Sequence, residues 1–435
     1  MSTIHSGLKT RGPEKNRLAR LVVAGLSVLL AGVAVTAWRL GAPLGVDSGV
    51  YRAGALAVLH GDPLYGSLRF LPHWSGGLPF TYPPVAAVVF LPLAALPAQL
   101  GWGLLAVASV LGLAVALRTS LKGSGIGSRT WLLPVAGIGA LVLEPVWRGL
   151  GLGQVNVALM ALVILDVLVL KRSRRGGILV GLAAAIKLTP LIFVLHLLVT
   201  GRRADAARAL GTFAGLNVVC AMLMPADTLR YWRAQLLGGD GATSSSWAGN
   251  QSLNGMIQRF TDHASWAFAL SIVAGLLCLA LALPMARTLY RRGEHLGALL
   301  VSAFCGLLIS PISWTHHWVW VVPLFGLLAT RALRAPSVST LAPLIGLVAI
   351  FTGFTVPMMP AGGDLELRWT PIQMVLGNAY VLAALVAGGI LAGRLLRSRT
   401  TVSVTTVRER RSAPAFGADP VAAALVPINR VSGTP

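Results

Sequence analysis

What this chain can fold into is constrained most by the alternation of long apolar runs with short basic clusters, from Leu18 to Leu396. A helix of about 20 apolar residues crosses a bilayer, and the basic residues between such helices collect on the cytoplasmic side. Of the 36 Lys and Arg residues, 26 fall in seven clusters: Lys9 to Arg20, Arg118 to Arg129, Lys171 to Arg175, Arg202 to Arg208, Arg287 to Arg292, Arg331 to Arg334 and Arg394 to Arg411. Each abuts an apolar run. Only 11% of the 435 residues are charged and mean hydropathy is +0.74, against about 25% charged in an ordinary soluble domain. The pattern implies an all-α polytopic membrane protein with about ten to twelve membrane segments.

The formal charge of +22 would suit nucleic acid only if a soluble basic domain carried it, and the sequence shows none. Anionic membrane lipids are the expected partners of the clusters. Cys220, Cys278 and Cys305 lie inside apolar runs and read as buried free thiols. The first apolar run lacks a small-residue cleavage site and continues through Trp38, so it reads as a first spanning helix rather than a signal peptide.

With residues 1–17 as a cytoplasmic basic tail, helix 1 (about Leu18 to Leu40) emerges outside. The membrane domain then covers residues 18–393, with external loops 41–79, 225–265, 311–318 and 357–371. Residues 394–435 form a basic, Ser/Thr-rich tail expected to be cytoplasmic and disordered. Tyr51 to His60 forms a short surface helix that Gly61-Asp62-Pro63 ends. Phe80 to Arg118 holds two apolar segments. Either one is re-entrant or the loop at Arg118 to Arg129 departs from the charge rule. Trp131 to Val146 and Asn156 to Leu170 read as a rising and a descending segment. Between Lys171-Arg175 and Arg202, about 25 residues must go in and come back. At about 1.5 Å per residue neither half can cross some 30 Å of hydrocarbon, so a broken hairpin follows, with its turn near Lys187 to Pro190.

This parity places Asp47, Asn250-Gln251 and His316-His317 on the extracytoplasmic side, with Lys187 at a hairpin apex pointing toward them. Each also has a plain structural reading. Asp47 would cap the surface helix, and Asp62 would form a turn before Pro63. Lys187 would snorkel, and the histidines would sit in an aromatic belt with Trp314 and Trp318. Tyr82-Pro83-Pro84 would set a helix entry angle. Gln154 and Asn156 would bond between helices or bind sugar, and Glu144 and Arg148 would pair on one helix face. Adjacent histidines with no third ligand at suitable spacing do not make a metal site.

Five segments resemble the polyprenyl-phosphate-dependent glycosyltransferases of the multi-spanning GT-C fold, in the α-1,2-mannosyltransferase branch called glycosyltransferase family 87. They are Asp47 with Tyr51-Arg52-Ala53-Gly54 and Gly61-Asp62-Pro63-Leu64-Tyr65; Phe80-Thr81-Tyr82-Pro83-Pro84; Gly153-Gln154-Val155-Asn156; Ile186-Lys187-Leu188-Thr189-Pro190; and Asn250-Gln251-Ser252 with Ser310 to His317. The resemblance spans about Leu18 to Leu391. It implies an enzyme of the plasma membrane whose site faces the periplasmic side. That enzyme transfers mannose from polyprenyl-phosphate mannose to the 2-hydroxyl of a mannose on a lipid-linked acceptor, a phosphatidylinositol mannoside or lipomannan, without a cofactor or metal. Asp47 matches the acidic residue that acts as catalytic base. One inverting displacement needs one base, and the departing phosphate needs cations or N–H donors. Lys187, Arg52 and a histidine of His316-His317 are the candidates for that role, with Asn250, Gln251, Gln154 and Tyr82 as further substrate contacts. Transfer of another polyprenyl-phosphate sugar is a competing expectation. A lipid or solute transporter is another, but it would be expected to show internal repeat symmetry, and the sequence has none.

Overall fold

The computed structural model describes residues 17–122, 132–171, 173–237, 245–353 and 355–412, with the side chains of the last helix described to residue 397. The basic residues before Arg17, Arg129, Trp131, Arg172 and the tail beyond Ser412 lie outside these ranges. Among the described residues there are helices and no strand, apart from one isolated antiparallel bridge between Asn250 and Trp314. The chain divides into residues 1–389 and a second unit, 390–435, which carries the end of the last helix.

In the first half the helices are α1 (Arg17–Leu40), α2 (Val46–His60), α3 (Pro84–Val89), α4 (Leu91–Ala94), α5 (Ala98–Leu121), α6 (Leu132–Leu141), α7 (Glu144–Leu152), α8 (Asn156–Ile164), α9 (Ile178–Ile186) and α10 (Ile192–Val199). They are followed by α11 (Arg203–Leu223), α12 (Pro225–Leu237), α13 (Leu253–Phe260), α14 (Ala267–Arg291), α15 (His295–Ile309), α16 (Val321–Arg334), α17 (Val338–Thr352), α18 (Pro371–Gly377) and α19 (Ala379–Ser412). Five of them are long and apolar enough to span a bilayer: α1, α5, α11, α14 and the stretch Ala379–Arg397 of α19. The bent pair α6–α7 and four shorter apolar helices add to these. The chain is a multi-pass, all-helical membrane protein.

The two apolar segments of Phe80 to Arg118 differ in kind. The first is the broken pair α3–α4, too short to cross. The second, α5, is a full span. It runs antiparallel to α1: Gln99 donates to the Ala42 carbonyl, and a Cβ on Gly103 would lie 2.7 Å from Ala34. Further along α5, Gly112 meets Val157 of α8, and Ser120 meets Gly326 of α16. Small residues let three neighbours approach one post. Accordingly 61% of the apolar stretch of α5 is buried, against 11–22% in the other four spans.

One expectation needs correction. Trp131 to Val146 is not one rising segment: α6 ends at Leu141, and α7 leaves it at 69°. Leu143 is extended (φ −70°, ψ 127°) and Pro145 occupies the first turn of α7, a position where proline favours starting a new helix.

The expected broken hairpin is α9 and α10, joined by a 3-10 turn at Thr189–Leu191. Its basic-cluster end is held firmly. The fully buried Asp166 carboxylate accepts the N–H groups of Gly177 at 2.6 Å and Val180 at 2.9 Å, satisfying donors at the start of α9. Arg202 donates to the Val167 carbonyl at 2.8 Å, and Asp205 pairs with both Arg202 and Arg208. A Cβ on Gly181 would lie 2.3 Å from the Ala209 carbonyl oxygen of α11, whereas Gly215 on α11 faces open space. Gly181→Val should therefore destabilise the protein by about 1–3 kcal/mol through overpacking, read as a lower thermal midpoint in detergent. Gly215→Val should leave the midpoint within about 0.5 kcal/mol of the parent.

Candidate active site

The site begins where α2 begins. Gly45 caps the helix in the left-handed region (φ +71°) with no side-chain cap bond, and Asp47 sits in the first turn. The capping role expected for Asp47 belongs to glycine, so its carboxylate is free for other work. A carboxylate near a helix N-terminus is also favoured by the helix dipole. Gly153, at the corner between α7 and α8, is likewise left-handed (φ +73°), and a Cβ there would lie 2.5 Å from the Ser48 hydroxyl. Glycine at this corner lets the start of α2 dock against it.

That docking delivers Gln154. Its Nε2 donates to Asp47 Oδ2 at 2.5 Å. Its Oε1 accepts from Tyr51 Oη at 2.9 Å, Tyr82 Oη at 3.1 Å and Asn156 Nδ2 at 3.2 Å. Three donors on one oxygen fix which way the amide points. Asn156 passes the network on: Nδ2 also donates to the His316 carbonyl at 3.1 Å, and Oδ1 accepts from Lys187 Nζ at 2.9 Å. Lys187 is extended (φ −148°, ψ 131°) at the end of α9. It also donates to His317 Nε2 at 2.9 Å and to Tyr82 Oη at 3.4 Å, and its ammonium lies 5.2 Å from the Tyr82 ring centroid. With Lys187 as donor, His317 Nε2 is the acceptor, which assigns its proton to Nδ1. The His316 ring meets His317 edge-on at 4.8 Å, and neither of its buried ring nitrogens has a partner.

The electrostatics are lopsided. Lys187 has no salt-bridging carboxylate among the described residues. Asp47 is near enough for the two charges to act on each other, but no carboxylate touches the ammonium, which leaves its donors open to an anionic ligand. Burial raises the Asp47 pKa, while the Gln154 hydrogen bond and then the Lys187 and Arg148 cations pull it down. Beside Lys187 and His317 lies a small, partly open cleft of about 40 Å³. Leu159, Met160, Val163, Phe193 and Leu307 also line it. A cation bordered by apolar side chains suits a lipid anion. Among the described residues, no group of three His, Cys, Asp or Glu could hold a metal.

Six of the residues singled out from sequence thus meet here: Asp47, Tyr82, Gln154, Lys187, His316 and His317. Three do not. Arg52 donates to the Leu96 carbonyl at 2.6 Å and ties α2 to the α4–α5 connection. Asn250 and Gln251 are fully buried and bond to the loop at Pro311–Ser313 and to Gly377. Asp62 follows the far end of α2, roughly 20 Å from Asp47 at 1.5 Å per residue. Sequence reasoning gave Tyr51 and Glu144 no place in the site. Tyr51 stands one helical turn after Asp47, and that spacing was its signal.

The chain is similar to known proteins over most of its length. Residues 80–311 match glycosyltransferase family 87. That range includes Tyr82, Gln154, Asn156 and Lys187, with Asp47 and the histidines flanking it. A polyprenol-phosphate-mannose-dependent α-(1-2)-phosphatidylinositol mannoside mannosyltransferase of Mycobacterium tuberculosis is 33% identical over 386 residues, 84% of this chain and 86% of that protein. Its namesake from Mycolicibacterium smegmatis is 32% identical over 388 residues, 83% and 84% of the two chains. A Mycobacterium tuberculosis pentamannoside mannosyltransferase is 36% identical over 308 residues, 69% and 70%. No solved structure matches.

The network makes Gln154 structurally irreplaceable by an apolar residue. Gln154→Leu leaves Asp47 without its donor and the two tyrosines with only each other and Lys187, and should lower stability by about 1–3 kcal/mol. Tyr51→Phe, which removes one donor and leaves Gln154 Oε1 satisfied by two others, should cost about 1 kcal/mol. Unfolding in mild detergent checks the order.

Proposed function

The chain belongs to glycosyltransferase family 87, and from that premise we propose that it transfers mannose from polyprenyl-phosphate mannose to the 2-hydroxyl of a mannose on a phosphatidylinositol mannoside. The names of its relatives support this reading. The observation that carries it is the Asp47–Gln154–Asn156–Lys187 chain: a carboxylate and a cation that make no direct ion pair, fixed relative to each other by two amides, with the cation lining a cleft bordered by apolar side chains.

The chemistry is a single displacement. The acceptor hydroxyl oxygen attacks the anomeric carbon as its proton passes to Asp47. The bond from that carbon to the phosphate oxygen breaks, and the electron pair leaves with the polyprenyl phosphate. Attack opposite the leaving group turns a β-linked donor into an α product. Gln154 occupies Asp47 Oδ2 and leaves Oδ1 for the acceptor. Lys187 receives the phosphate, its charge worth more here than in water because the site is shielded. His317 and Asn156 hold the ammonium in place, and the Leu159–Phe193–Leu307 walls take the start of the polyprenyl chain. No second catalytic carboxylate is needed, because phosphate is already a good leaving group.

We place this site on the extracytoplasmic face of the plasma membrane. The antiparallel pairing of α1 with α5 puts Arg17, Arg20, Arg118 and Lys122 at one end, opposite Asp47, and the positive-inside rule makes that end cytoplasmic.

Asp47→Asn should lower turnover of labelled mannose onto the acceptor at least about 100-fold, the contribution of a general base, while donor binding persists. Near-parental turnover would sink the assignment. Because burial raises the Asp47 pKa, the base keeps its proton to higher pH than an ordinary carboxylate. The acid limb of kcat/KM, which reports the free enzyme, should therefore lie above the usual carboxylate range, with activity rising as pH rises through it. For sidedness, Ser67→Cys, at an exposed position in the first external loop, should react with an impermeant thiol reagent on intact cells. Ser339→Cys, beside Arg331–Arg334, should react only after permeabilisation. The reverse pattern overturns the topology.

A further inference from the structure

The segment between α12 and α14 concentrates its buried polar groups on one loop. Arg259 is 2% exposed. It donates to the carbonyls of Ser246 at 3.1 Å, Trp247 at 3.0 Å and Asn250 at 3.0 Å, and to Asn378 Oδ1 at 2.5 Å. Asn250 accepts the Ser313 N–H at 2.9 Å and donates to Ser245 and Pro311 carbonyls. Gln251 N–H donates to the Ser313 carbonyl at 2.7 Å. Together these bonds clamp two loops side by side and fix two indoles against each other. The rings of Trp247 and Trp314 lie 5.3 Å apart at 70°. At Gly249 a Cβ would stand 2.2 Å from the Trp247 ring, so glycine lets the indole fold back over its own loop. Neither ring is fully buried.

Arg148 completes the group. Its guanidinium carbon lies 5.9 Å from the Trp247 ring centroid. Glu144, fully buried, stands 3.8 Å from Arg148 and is held by Thr315 Oγ1 at 2.9 Å and Tyr380 Oη at 3.0 Å. A Cβ on the neighbouring Gly149 would lie 3.9 Å from His316 Cβ, so this cluster adjoins the histidine loop. None of the three residues lines the cleft beside Lys187.

We propose that Arg148, Trp247 and Trp314 form the subsite for the acceptor's terminal sugar ring. A pyranose presents an apolar C–H face and a rim of hydroxyls. An indole fits the face, and a guanidinium offers five N–H donors in a rigid fork to the rim. The charges divide the site accordingly. Arg148 already stands 3.8 Å from the Glu144 carboxylate and suits a neutral sugar, whereas Lys187 makes no direct ion pair and suits the anionic donor. Indoles that merely anchor a protein at the membrane interface need no such clamp. The proposal rests on the reading above, in which Asp47 takes the acceptor's proton.

The test measures binding without turnover, in the Asp47→Asn background, for phosphatidylinositol mannoside and polyprenyl-phosphate mannose separately. Adding Trp247→Ala should weaken the acceptor about tenfold or more and the donor less than about twofold, and Trp247→Phe should recover most of the loss. Arg148→Gln, which leaves the clamp untouched, should show the same split. Unchanged acceptor affinity in Arg148→Gln, or equal loss of both ligands in either variant, overturns the assignment. A wrong base would instead show as turnover retained by Asp47→Asn alone, so the two failures are told apart.

Discussion

The site depends on one side-chain amide. Gln154 faces a carboxylate with its nitrogen and three donors with its oxygen. An amide is the group that can do both, since a carboxylate would repel Asp47 and a hydrocarbon would satisfy nothing. Through it α2, the α3 entry at Tyr82 and the α7–α8 corner share one set of bonds. Asn156, two residues on, extends the set to the hairpin and to the histidine loop. This network aligns five separate pieces of chain on one point.

Much of the fold was legible in the sequence because lipid restricts the choices. The broken hairpin followed from arithmetic on residues 171–202, and α9 and α10 have the required shortness. The ambiguity in Phe80 to Arg118 was likewise real, and it resolved into a short broken pair and one span. The bend at Leu143 was missed because hydropathy does not register an extended residue between two apolar helices, and only Pro145 hinted at it. In the site, Asp47, Gln154, Lys187 and the histidines stood out because polar groups in an apolar chain are few. Asn250 and Gln251 stood out for the same reason. The structure gives them a clamping role, which sequence cannot distinguish from contact with substrate. Arg148 looked like half of a helix-face pair, and its position over Trp247 depends on two loops brought together from residues 245–251 and 311–315.

The two halves of the site are built with different stiffness. The acceptor side is framed by a buried arginine, two buried amides and a bridge between loops. The donor side is a lysine at a helix break, flanked by unpaired ring nitrogens of His316 and His317. Polar atoms buried without partners are poor for stability and good for binding, because a ligand that satisfies them recovers the desolvation already spent. Three of the buried unpartnered polar atoms among the described residues, on His316 and His317, therefore lie where a bound ligand could meet them.

The solitary Lys187 also bears on how a catalytic cycle ends. The donor is a phosphodiester with a single negative charge. The lipid left behind is a monoester, whose second ionisation lies near pH 6, so it carries up to twice that charge. If Lys187 receives the phosphate as proposed, it would grip the spent carrier more tightly than the loaded one. The spent carrier would then compete with fresh donor for the same ammonium.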